Sequence, residues 1–124
     1  MPKPNRVRRE PAPPDLREPV DAFLAHLSLE RGAARLTTEA YDADLTRFAA
    51  HCARAGRTSW TEVTLADVDS WTRALDRRGH AAASLARRLS AVRSFSGYLV
   101  RCGLRRDDFT RSEEHTSELQ SPDH

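Results

Sequence analysis

The apolar residues of this chain recur at helical period in four stretches, each closed by a glycine. Val20, Phe23, Leu24 and Leu27 follow Pro19, while Tyr41, Leu45, Phe48 and Cys52 stand at i, i+4, i+7 and i+11. Leu65, Val68, Trp71 and Leu75 make a third stripe. In the fourth, Leu85, Leu89, Val92, Leu99 and Val100 fall in an arc of about 100°. Gly32, Gly56, Gly79 and Gly103 lie 24, 23 and 24 residues apart, each just past a stripe, where a left-handed residue stops a helix. Arg31, Arg54, Arg78 and Arg101 stand in the last turns, where a cation meets the negative end of the helix dipole.

The pattern predicts helices from about Pro19 to Arg31, from an opening between Ala34 and Thr38, from Thr64 onward and from about Ala82 to Cys102. Thr64 and Asp67 have the spacing of a reciprocal N-terminal cap. Strand-like alternation is missing, so the expected class is all-α. The four stretches share no motif beyond their glycines, which argues against a solenoid.

Composition sets the boundaries. Five of the seven prolines, with Lys3, Arg6, Arg8 and Arg9, lie in the first fourteen residues, so residues 1–15 are expected to be a disordered basic arm. Residues 16–108 form the expected domain. From Arg111 the periodicity ends and one leucine remains in fourteen residues; RSEEHTSELQS resembles a DNA-sequencing adapter translated in one frame. Residues 111–124 are therefore set apart as an unstructured, non-native tail, and a metal site at Glu113, Glu114 and His115 is rejected. No run of apolar residues is long enough for a membrane span or a signal peptide, and the expected location is cytoplasmic.

Charge then singles out one helix. Eight of the 20 basic residues lie from Arg77 to Arg106 with no carboxylate among them, while the rest of the chain carries 12 basic and 18 acidic residues. Arg87, Ser94 and Arg101 point away from the apolar arc, and Arg88 and Arg93 flank it. Such a face suits phosphate, although a solvated face on a bundle helix would have the same composition. Arg47 and Arg54 lie on the outer side of the second helix.

The remaining chemistry is structural. Cys52 and Cys102 are expected to be buried thiols, and Trp60 and Trp71 core anchors. His26, His51 and His80 are scattered at helix surfaces and ends. Asp42, Asp44, Asp67, Asp69 and Asp76 read as solvated faces and dipole complements. Tyr41 belongs to the core and Tyr98 has no partner patterned for catalysis. No catalytic residue, metal site or cofactor is expected.

Two strings carry a resemblance: RGAARLTTEAYDADLTRFAAHC from Arg31 to Cys52, and RGHAAASLARRLSAVRSFSGYLVRCGL from Arg78 to Leu104. With TEVTLADVDSWTRAL between them they resemble the SAM-like core-binding domain of tyrosine recombinases, most closely the bacterial Xer type. The matching positions are Thr37, Tyr41, Asp44, Leu45 and Phe48, then Arg87, Leu89, Ser90, Ala91, Val92, Arg93 and Phe95. The resemblance implies a four-helix bundle whose second and fourth helices meet the major groove of double-stranded DNA. Carried over by position, the contacts would be Thr37, Ala43 and Arg47, with Ser84, Arg87 and Arg88. It also implies other recombinase subunits as partners, and a separate catalytic domain without which this chain is inactive. Ala34 and Ala81 stand where the family often has a capping Ser, so the second and fourth helices are expected to begin late or fray. The alternative is a helical protein-interaction module with an arginine-rich docking face; a helix-turn-helix is disfavoured by the longer turns.

Overall fold

The computed structural model describes residues 12–30 and 32–111, so the expected arm before Ala12 and the expected tail after Arg111 lie outside the described residues. Four helices follow in order: α1 Pro14–Leu29, α2 Arg35–Arg54, α3 Leu65–Arg77 and α4 Ala82–Arg101, with a 3₁₀ turn at Trp60–Glu62. No strand occurs among the described residues, and the class is all-α. None of the described helices is long and apolar enough to cross a membrane. The chain divides into two compact units, one ending at Glu62 and the next beginning at Val63.

In the first unit α1 packs on α2. Helix α1 starts five residues before Pro19, because Pro14 occupies its first turn, where a missing N–H costs nothing, and Leu16 extends the apolar stripe by one turn. Residues 14 and 15, assigned to the arm by composition, are thus helical. Leu16, Val20, Phe23, Leu45, Phe48, Ala49 and Cys52 are buried. The Trp60 ring lies 5.8 Å from that of Phe48, and its indole N–H donates to the Leu16 carbonyl at 2.8 Å. Tyr41, half-buried, stacks on Phe23 with centroids 6.5 Å apart.

Helix α2 does not begin late. Ala34 supplies no side-chain cap, yet its extended backbone presents its carbonyl to the Thr38 amide at 3.0 Å and to the Thr38 hydroxyl at 3.2 Å. Ala81 likewise accepts from the Leu85 amide at 3.0 Å, and α4 opens directly after it at Ala82. Asp44, expected in solvent, is wholly buried on α2. Its phase explains the difference, since 44 falls beside Leu45 and Phe48 on the buried side of the wheel.

The second unit holds α3 and α4. Thr64 and Asp67 form the reciprocal cap, with the Thr64 amide donating to the Asp67 carboxylate at 2.9 Å. Gly79 ends α3 at φ +84°, which an L side chain adopts only with strain. Its amide reaches the Asp76 carbonyl at 2.9 Å, and the His80 amide reaches that of Leu75 at 3.2 Å. Gly32, Gly56 and Gly103 take the same left-handed conformation.

The chain beyond α4 is tied down. Arg105 donates to the Val63 carbonyl at 2.8 Å and lies 5.0 Å over the ring of buried Phe109. Ser96, wholly buried in α4, donates to Asp108 at 2.7 Å and accepts from the Phe109 amide at 3.2 Å. Partial burial would raise the Asp108 pKa, but hydrogen bonds from Thr110 and Ser96 and the Arg111 charge together hold it below the ordinary value. Cys102, by contrast, is exposed. It falls one residue past α4, beyond the turn that Leu99 anchors, so the helical phase that would bury it has ended.

Candidate nucleic-acid interface

On α4 the buried side is made by Ala91, Phe95, Arg88, Leu99, Val92 and Ser96. This set is turned by about 60° from the arc of aliphatic residues alone, because Phe95 and Ala91 extend the core toward one flank. Leu89 and Val100 are correspondingly half-buried. The exposed side is then continuous. In angular order it runs Arg93, Ala86, Gly97, Ser90, Ala83, Arg101, Ser94 and Arg87, about 120° of helix surface. Every one of these residues is exposed except half-buried Gly97. The surface therefore consists of guanidinium, hydroxyl and small side chains, without a carboxylate or a bulky apolar group.

The same rotation corrects one expectation. Arg88 is 8% exposed, and its Nη1 lies 2.6 Å from His80 Nδ1. Guanidinium can only donate, so Nδ1 is the acceptor in this contact. Arg88 reaches back toward the α3 stop, as helical side chains do, and is committed to the protein interior. Ser84 is half-buried. Of the three residues expected on α4, Arg87 alone lies fully within the exposed arc. Ser90 and Gly97 join it; counting Phe95 and Ala91 as core in the helical wheel would have placed both outward.

On α2, Thr37, Ala43 and Arg47 are all exposed, but they do not share one line. Ala43 and Arg47 share an arc with Leu36 and Arg54. Thr37 stands about 80° from Arg47 and is exposed because it lies in the first turn, beyond the core. The charge on α2 is mixed. Arg35 pairs with Glu39 at 3.5 Å, and Asp42 accepts from Thr46 at 3.1 Å, with Arg17 of α1 3.5 Å from the same hydroxyl. Arg47 and Arg54 follow without a carboxylate between them. No group of three or more His, Cys, Asp or Glu residues among those described could hold a metal.

The sequence matches a known family, the phage integrase N-terminal SAM-like domain, over residues 20–103. The chain belongs to that family. Among curated relatives, the SAM-like domain is 40% identical over 89 residues to the tyrosine recombinase XerC of Pseudomonas savastanoi pv. phaseolicola, covering 72% of this chain and 30% of that protein. It is 40% identical over 94 residues to XerC of Serratia marcescens, covering 76% and 31%. To the tyrosine recombinase XerD of Rhizobium meliloti it is 43% identical over 91 residues, covering 73% and 29%. The chain thus spans less than a third of the length of these relatives. No solved structure matches it at a significant level.

Proposed function

We propose that this SAM-like domain binds duplex DNA as the gripping half of a site-specific tyrosine recombinase of Xer type. Helices α2 and α4 lie against the major groove in this reading, and a second domain cuts and rejoins strands in chromosome dimer resolution or integration. The observation that carries it is the unmixed surface of α4, where Arg87, Arg93 and Arg101 stand among serines, alanines and glycine. Such a surface has no internal counter-charge on its own helix and is shaped for close approach, the two properties a phosphate-lined groove requires. Arg87 contacts base edges or phosphate. Arg47, Ala43 and Thr37 supply the α2 contribution, and Ser84 lies at the margin. Arg88 supports the α4 turn from inside.

The parent acts with other recombinase subunits in the cytoplasm. A protein contact is the second reading. It is favoured by Leu29 and Leu36, which are 81% and 74% exposed at the two ends flanking the Gly32 turn.

The test is a fluorescence titration of a labelled duplex over a range of salt. Duplex binding predicts a linear fall of log affinity with log salt, with a slope of about −0.9 per phosphate neutralised. A chain that never binds duplex at low salt, yet changes size with its own concentration, would leave the protein-contact reading in its place.

A further inference from the structure

Gly97 stands in the interior of a 20-residue helix, in the middle of its exposed arc. Glycine is disfavoured there relative to alanine, and its backbone conformation is not left-handed, so no turn requires it. What surrounds it does explain it. A Cβ added at Gly97 would meet Arg101 Nη1 at 3.4 Å, so the Arg101 guanidinium lies back across the bare backbone. Arg93 and Ser94 stand four and three residues earlier, the spacings that bring side chains onto the same patch. The result is a Cβ-free stretch of backbone with the Arg101 guanidinium laid over it, and with Arg93 and Ser94 on the preceding turn of the same exposed arc.

Geometry separates this patch from Arg87. Fourteen residues of helix place Arg101 about 21 Å along the axis from Arg87. Helices that enter the major groove characteristically touch base edges with one end while the far end meets the backbone. We infer that Gly97, Arg93, Ser94 and Arg101 form a seat for a backbone phosphodiester of duplex DNA, gripping the strand at the groove's edge while the Arg87 end enters the groove. This rests on the duplex-binding reading above and assigns to it a second, sequence-independent contact. The missing Cβ leaves room for the Arg101 guanidinium to lie close to the backbone and hold the phosphate there, with Arg93 and Ser94 one turn away on the same face.

The experiment uses the 124-residue chain with two labelled duplexes of unrelated sequence. Gly97→Ala and Gly97→Leu put a side chain into the seat with residues that favour helix, so thermal midpoints should hold or rise while affinity falls. About threefold is expected for Ala and about tenfold for Leu, equally on both duplexes. Arg101→Ala should weaken binding on both and reduce the salt slope by about one. Folded Gly97→Leu and Arg101→Ala variants that bind like wild type, with the slope unchanged, would overturn the seat and leave duplex binding through Arg87 standing. A wild-type chain that binds neither duplex would overturn the duplex reading itself and the seat with it.

Discussion

Helices α2 and α4 are each 20 residues long and each bury one side, yet their outer surfaces obey different rules. The first half of α2 carries mixed charge, with Arg35 against Glu39 and Asp42 hydrogen-bonded to Thr46. Only from Ala43 onward does it become cationic. Helix α4 has no carboxylate anywhere, and its three exposed arginines are spread through its length. An exposed ion pair contributes little to stability, so the difference bears on what approaches from outside. A mixed surface tolerates water; an unmixed one concentrates counter-ions and favours a polyanion. The sharpest way to break this contrast is to make α4 resemble α2. Ser90→Glu puts a carboxylate in the centre of the α4 arc, and duplex affinity should fall by more than about tenfold with little change in thermal midpoint. A loss of less than about twofold would mean that the unmixed surface is not where DNA binds.

Single truncations rank the two helices. Arg87→Ala should cost about tenfold in affinity and reduce discrimination between duplexes, consistent with about 1–3 kcal/mol for an arginine at a base edge. Arg47→Ala should cost about threefold, because the α2 surface has nearby carboxylates that already weaken its field. Parallel titrations at one salt concentration decide the order, and an Arg47 effect equal to that of Arg87 would erase the distinction. The converse change is gentler: Glu39→Gln with Asp42→Asn unmixes α2 and should raise affinity about twofold. No gain at low salt, where surface charge is felt most, would show that the first half of α2 stays away from the duplex.

Much of this was legible in the residues. The four stripes and their glycine stops located the four α-helices among the described residues, since a 3.6-residue period and a left-handed stop are local properties, while the 3₁₀ turn at Trp60–Glu62 left no such pattern. The capping pair at Thr64 and Asp67 was legible for the same reason. The misses share a cause. Leu16, Asp44 and Arg88 are buried by packing that extends a stripe by a turn or rotates it, and aliphatic residues alone do not record where Phe95 and Ala91 place the axis of the core. Cys102 failed in the opposite sense, because periodicity continues on paper past the point where the helix stops. The exposed side of α4 was therefore incorrectly phased, and Ser90 and Gly97 emerged only with the rotation.

Adjacent residues offer the finest form of the comparison. Arg87 and Arg88 differ by one position and by about 100° on the wheel, enough to send one outward and the other against His80. Arg88→Met retains the unbranched stem that fills the interior and removes the donor. Losing a hydrogen bond from a charged group costs about 1.5–3 kcal/mol, so the urea midpoint should fall. Duplex affinity of the folded protein should change by less than about twofold, and the salt slope should remain at its wild-type value. Arg87→Met should instead reduce both affinity and slope. The pair of variants thus separates interior support from surface contact within one turn of helix. An Arg88→Met protein whose salt slope drops by about one would show that this guanidinium leaves His80 to meet a phosphate when DNA arrives, and the boundary drawn between the two sides of α4 would have to move.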